Sequence, residues 1–287
     1  GLIFGNFGLP RLELVGAGIA TTVVNVLMML ALAAVIQWRR PFNKYQLFVR
    51  FWRPDWRIFR QIFRIGAPIA AISVMEAGFF IGAVFVIGQF GAVAIAAHMI
   101  AMQMPHITFM IPMGLSQAAT VRVGHAVGRR DVAGAYRAGW SAISVGMLFA
   151  TVMTGVVVSF PDLFAGLFLD TARADSAEVL RLAVALLLLA AMFQIVDALQ
   201  AVAAGALRGL NDTAFPMAIA GVSYWGLGAG SGIWLAFGAG LQTQGIWIGF
   251  VIGLTAAAVL MIWRFRAQQR RQFMPDIIKE EATPLPL

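Results

Sequence analysis

Seven stretches of this chain are apolar for roughly 20 residues or more, the length a helix needs to cross a bilayer. That requirement dictates the architecture. The stretches fall near residues 14–38, 65–89, 94–120, 134–160, 176–207, 214–237 and 245–263. Backbone amides find no water in hydrocarbon, so segments of this kind satisfy their hydrogen bonds as helices. The expected class is an all-α polytopic membrane protein with seven transmembrane helices. Composition agrees, because 60% of the residues are hydrophobic, 12% are charged and mean hydropathy is +0.83. Water-soluble domains of this size do not share that profile. The chain has no cysteine, which excludes disulfides, thiolate nucleophiles and thiolate metal sites.

The basic residues lie mostly between the spans. Eight fall between residues 39 and 64, four between 122 and 137, one at Arg208 and five between 264 and 279. On a path that alternates sides, 18 of the 21 therefore share one side. The other side holds Arg11, Arg173 and Arg181, and a loop made acidic by Asp162, Asp170, Asp175 and Glu178. Basic loops stay in the cytoplasm. The amino terminus is expected outside and the carboxyl terminus inside, with Trp38, Trp140 and Trp263 at the inner interface, where indole rings prefer to lie. Residues 45–64 interleave Phe48, Trp52, Trp56 and Phe59 with Arg50, Arg53, Arg57 and Arg60, a pattern expected of an interfacial helix on anionic lipid. Membrane lipid, and no nucleic acid, is the partner this charge of +8 implies. An outside start with no preceding signal segment leads us to expect further helices upstream. Leu14-Val15-Gly16-Ala17-Gly18 also echoes Gly245-Ile246-Trp247-Ile248-Gly249, as if each closed one repeat.

Two acids inside the spans carry the functional expectation. Glu76 is the only charge between residues 65 and 89, and Asp197 the only one between 182 and 207. An ionisable group at that depth costs a few kcal/mol and marks an ion or substrate path unless a structural hydrogen bond explains it. Gln194 and Gln200 lie three residues to either side of Asp197, with Phe193 one turn before it, so the polar groups share a stripe. Ser73 stands one turn before Glu76. Oxygen ligands suit Na⁺ and a desolvated carboxylate suits H⁺, so both ions stay open. Pro105 should kink its helix beside Gln103, His106 and Thr108, making a polar segment able to line a cavity. Phe79, Phe80, Phe193 and Tyr224 offer π faces to lipophilic cations. His98 is expected to be a hydrogen-bonded structural group. Residues 124–130 are glycine-rich and basic but lack the Lys-Ser/Thr ending of a phosphate loop, and no zinc or di-iron spacing is present. The glycines between 221 and 253 are expected to let helices pack closely.

Several motifs occur together and in order. Gly66-Ala67-Pro68 opens the helix of Glu76, and Ala96-Ala97-His98 follows in the next span. Then comes Phe109-Met110-Ile111-Pro112-Met113-Gly114-Leu115-Ser116-Gln117, continuing to Gly124. Phe193-Gln194-Ile195-Val196-Asp197-Ala198-Leu199-Gln200 precedes Gly205-Ala206-Leu207-Arg208-Gly209-Leu210-Asn211-Asp212-Thr213 and Tyr224-Trp225. In these residues the chain resembles the multidrug and toxic compound extrusion (MATE) transporters, most closely their NorM-like bacterial branch. The resemblance implies twelve helices in two six-helix lobes forming an inverted V. Residues 1–38 would then be the last helix of a missing N-terminal lobe, 39–64 an inter-lobe connector, 65–264 the complete C-terminal lobe and 265–287 a cytoplasmic tail. It further implies that Glu76 and Asp197 match the family's cation-site carboxylates, in a protein of the bacterial inner membrane.

The expected function is secondary active export of organic cations or drugs, exchanged for Na⁺ or H⁺ by alternating access. No cofactor other than the coupling ion is expected. The candidate cation residues are Glu76 and Asp197, which would also hold Na⁺, and the candidate cavity-lining residues are Ser73, Gln103, His106, Phe193, Gln194, Gln200 and Tyr224. A lipid-linked glycan flippase of related fold is the alternative, although phosphate cargo calls for basic residues in the cavity. A seven-helix photoreceptor needs a lysine within a span, whereas Lys44 and Lys279 lie outside them. Catalysis is not expected, since no nucleophile–base pair is visible within the spans.

Overall fold

The computed structural model describes residues 13–38, 55–168 and 176–273. Most of the expected connector, Asp170 and Asp175 of the acidic loop, and the tail beyond residue 273 lie outside the described residues. The helices are Glu13–Trp38 (α1), Trp56–Gly88 (α2), Ala92–Thr108 (α3), Met110–Gly128 (α4), Val132–Ser159 (α5), Pro161–Leu167 (α6), Ser176–Gly209 (α7), Ala214–Gly221 (α8), Gly230–Ile233 (α9) and Gln242–Arg270 (α10). Among the described residues, six spans are long and apolar enough to cross a membrane, counting α3 and α4 as one. The seventh expected span is present in another form. Two π-helical segments, Val222–Ala229 and Trp234–Gly238, join α8 and α9 into one segmented rod.

Contacts divide the chain into two compact units, one up to Arg60 and one from Gln61 onward. In the first, α1 exposes Val23, Leu27, Leu30 and Val35, with apolar side chains around its circumference. An apolar circumference of this kind suits a helix surrounded by hydrocarbon or by other apolar helices. In the second, α7 is the central element and packs against α3, α4, α5 and α10. Its buried residues accordingly run from Val179 to Leu207 and occupy more than one face.

Small and hydroxylated residues hold this unit together, as expected where lipid tails supply no hydrophobic drive between helices. The Ser116 hydroxyl of α4 donates to the Ala201 carbonyl of α7 at 2.7 Å, and Thr120 donates to the Gly205 carbonyl at 2.9 Å. Gly245, Gly249 and Gly253 form a stripe along one face of α10, against the segmented rod. A Cβ on Gly249 would lie 2.5 Å from Gly232 Cα, and one on Gly253 would lie 2.8 Å from Gly228 Cα. Only hydrogen fits there, which agrees with the packing role expected of these glycines.

The turns are specified locally. Between α3 and α4 the helical hydrogen-bond pattern is interrupted at Phe109, between Pro105 and Pro112, neither of which has an amide hydrogen to donate, while Phe109 itself keeps helical dihedrals of −62° and −22°. Arg130 takes a left-handed φ of 56° in the α4–α5 turn, and Asp131 Oδ1 caps α5 by accepting the Gly134 N–H at 2.8 Å. After α7, Asn211 turns the chain with φ 62°. Asp212 then accepts from Arg264 Nε at 2.7 Å and Gln268 Nε2 at 2.8 Å, while the Arg264 guanidinium lies 4.4 Å from the Phe215 ring centroid. The region after Phe160, expected as an acidic loop, is partly helical. It contains α6, opened by Pro161 in the first turn, where a missing amide hydrogen costs nothing.

Replacing Gly249 by Val should lower stability by about 1–3 kcal/mol through overpacking. Gly230→Ala, where an added Cβ meets nothing within 4 Å, should be neutral or slightly stabilising. Thermal unfolding of both variants in detergent measures the contrast, and equal midpoints would remove the close-packing role from Gly249.

Candidate functional site

The site is built from α2, α7, α10 and the first π segment of the rod. Asp197 is 6% exposed, and its Oδ1 has no hydrogen-bond partner among the described residues. The same holds for Gln200 Oε1 one turn along α7, and for Ser223 Oγ and Tyr224 Oη on the π segment. Four buried polar atoms without partners are costly in so small a region. Asp197 and Tyr224 are close enough to Glu76 to feel its charge, and Tyr224 feels that of Asp197 as well. Glu76 is partly buried on α2. Two carboxylates from different helices and a phenol thus share one neighbourhood.

An aromatic cluster forms the adjoining wall. Phe79 stacks on Tyr224 with centroids 5.8 Å apart and planes 7° from parallel. Phe80 meets Phe193 edge-on at 5.8 Å, and Phe250 contacts Phe79 at 5.0 Å and Phe80 at 5.2 Å. Trp247 adjoins Phe193 at 6.0 Å, while its Nε1–H donates to His98 Nδ1 at 3.2 Å. His98 is therefore a hydrogen-bonded structural group. The local register explains the arrangement, since Phe79 and Phe80 follow Glu76 by about one turn on α2 and Phe193 precedes Asp197 by one turn on α7.

The remaining candidates separate into two groups. Gln194 is 6% exposed and used at both ends of its amide. Its Nε2 donates to Thr154 Oγ1 at 2.9 Å, and its Oε1 lies 3.1 Å from the Thr108 hydroxyl, which also lies 2.9 Å from the Met104 carbonyl. Thr154 in turn donates to the Ala191 carbonyl at 2.7 Å. Gln194 thereby ties α3, α5 and α7 together. Beside it Asp197, Pro105, Thr108 and Pro112 enclose a small cavity, with about 10 Å³ of room for the centre of a water-sized sphere, enough for about one water. Ser73, Gln103 and His106 are exposed, and none has a hydrogen bond to Glu76 or Asp197 among the described residues. Trp247, Phe250, Ser223 and Thr154 belong to the neighbourhood although they were not singled out as candidates. Trp247, an indole two residues into the expected span 245–263, is the one sequence signal that points to them. Among the described residues no group of three or more His, Cys, Asp or Glu could hold a metal ion.

Comparison with known proteins places this geometry. A family model described as MatE matches residues 68–234. A probable multidrug resistance protein NorM of Mesorhizobium japonicum is 44% identical over 268 residues, covering 93% of this chain and 57% of that protein. The corresponding protein of Brucella suis is 47% identical over 265 residues, covering 92% and 56%. This chain spans somewhat more than half the length of these relatives. Among solved structures, the eukaryotic MATE transporter AtDTX14 superposes with a TM-score of 0.80 at 24% identity, covering 94% of this chain and 60% of that one. An outward-facing MATE family transporter of the MOP superfamily gives 0.82 at 20% identity, covering 94% and 59%. With the family match spanning residues 68–234, and the fold repeated in these transporters, the chain belongs to the MATE family of membrane transporters.

Proposed function

We propose that this chain supplies the cation-handling lobe of a secondary active multidrug exporter, in which Na⁺ or H⁺ taken up at Glu76 and Asp197 drives release of organic cations or other drugs by alternating access. The observation that carries the proposal is the pairing of these two acids beside Tyr224, with Asp197 Oδ1, Gln200 Oε1 and Tyr224 Oη left without partners. Carboxylates that feel each other away from water need a shared cation or proton to be tolerated. The oxygens present are the hard donors Na⁺ takes, and a proton on either acid would serve equally. Phe80, the partly buried ring of the aromatic cluster, is placed to offer a face to a lipophilic cation, whereas Phe79, Phe193 and Tyr224 are buried behind it. The names of the relatives, probable multidrug resistance proteins, support the same cargo class.

In this proposal residues 1–38 close an N-terminal lobe, 39–64 connect the lobes along the inner surface, 65–264 form the C-terminal lobe and 265–287 are a cytoplasmic tail. The pathway lies between the lobes of the complete transporter. The chain sits in the bacterial inner membrane with residue 1 outside and the tail inside, as its basic residues require.

Asp197→Asn and Glu76→Gln in the complete transporter should each abolish ion-gradient-driven efflux of an organic cation while leaving thermal stability unchanged or slightly raised. The amides keep size and hydrogen bonding, and a buried charge is costlier than an amide. Organic-cation uptake into inverted vesicles, under separately imposed Na⁺ and H⁺ gradients, reads the first quantity and detergent melting the second. Wild-type coupled efflux in both variants would leave the two acids with a structural role only.

Topology is testable on the naturally cysteine-free chain. A cysteine at Asp162 should react with a membrane-impermeant thiol reagent in intact cells, and one at Arg270 should react only after lysis. The reverse pattern would invert the proposed orientation.

A further inference from the structure

A cleft of about 500 Å³ opens between α4 and α5, at the end where the Arg130–Asp131 turn joins them. Its cations come from both walls. Arg122, His125 and Arg129 are three and four residues apart and share one face of α4, while Arg137 lines the cleft from α5, one turn before Ser141. None of the three arginines has an ion-pair partner among the described residues. Asp131, the one carboxylate on the lining, is occupied as the α5 cap through the Gly134 N–H at 2.8 Å. Alanines such as Ala118 and Ala142 floor the cleft and leave its volume unfilled.

The two ends of the α5 face differ in character. Arg137 and Ser141 stand at one end, and the same face continues at helical spacing through Val145, Leu148 and Val152, which are 52%, 66% and 55% exposed. A cationic recess thus passes directly into an exposed apolar stripe. Guanidinium forks match phosphate oxygens in geometry as well as charge, and basic pockets between transmembrane helices at the membrane surface suit anionic headgroups. We propose that this cleft binds the phosphate of an anionic phospholipid, with its acyl chains lying along the Val145–Leu148–Val152 stripe. The proposal rests on the chain being a membrane protein and is independent of the transport function, the cation residues lying elsewhere on α2 and α7.

The test uses the purified chain in detergent, with phosphatidylglycerol, phosphatidylcholine or inorganic phosphate added in turn and binding read by native mass spectrometry. Phosphatidylglycerol should bind in preference to phosphatidylcholine. The R122Q/R129Q/R137Q variant should bind phosphatidylglycerol about a hundredfold more weakly, and R137Q alone about fivefold more weakly. R266Q/R270Q/R271Q, which removes as many exposed arginines from the end of α10, should keep most of the affinity. Circular dichroism and lipid-free melting establish that each variant is folded. R137Q, a change at one exposed residue, carries the test if the triple variant is not. Phosphatidylglycerol binding that is equal in wild type and R137Q, or lost equally in the α10 control, would overturn the site. Displacement of phosphatidylglycerol by inorganic phosphate, with no preference over phosphatidylcholine, would make soluble phosphate the ligand and overturn the lipid assignment.

Discussion

Inside hydrocarbon, a helix gains nothing by hiding apolar side chains from lipid, so contact between helices has to come from close backbone approach and shared polar groups. In this chain that constraint is met along α10 and the segmented rod, where Gly245, Gly249 and Gly253 face Ala236, Gly232 and Gly228 with room for hydrogen alone. The rod carries Ser223 and Tyr224, and α10 carries Trp247 and Phe250. Their close approach is what brings the Tyr224 phenol and the aromatic wall to one place. A π turn widens the helix and offsets its register from the α pattern, a feature often found at functional sites. Here the first π segment bears two of the four partnerless polar atoms.

Much of this was legible from the sequence because it depends on length and polarity. Six spans follow from apolar run length, and the interruption near Pro105 follows from proline chemistry, displaced by four residues to Phe109. Asp197 and Glu76 stood out because a lone acid in hydrocarbon is costly. The segmentation of the seventh span was not legible, since a π turn changes the hydrogen-bond register without changing hydropathy. Gln194 shows the same limit from the opposite side. Its polarity was visible, but the partners Thr108 and Thr154 stand on different helices, and only packing reveals that both ends of the amide are used. Gln103 and His106 flank Pro105 in sequence and yet are exposed, while Thr108 turns inward. Periodicity defines a face without saying what that face meets.

The aromatic wall and the acids are coupled by register. Phe79 and Phe80 follow Glu76 by about one turn, and Phe193 precedes Asp197 by one turn, so rotating either helix moves a ring and a carboxylate together. A cation held by the acids and a flat cargo held against Phe80 would, in the proposed exporter, consequently both draw on α2. In the proposed exporter, competition between ion and drug needs no long-range relay, because both are recognised by side chains on adjoining turns.

The Gln194 bracket decides which part of this neighbourhood can move. Three residues before Asp197, α7 is pinned to α3 and α5 through Thr108 and Thr154, so turning it would disturb three hydrogen bonds at once. The contacts of α2 near Glu76 are of another sort, ring faces and edges between Phe79, Phe80 and their neighbours, which slide over one another without leaving a donor stranded. In the proposed exporter, an ion shared by the two acids would therefore join a helix tied by hydrogen bonds to one held by ring contacts.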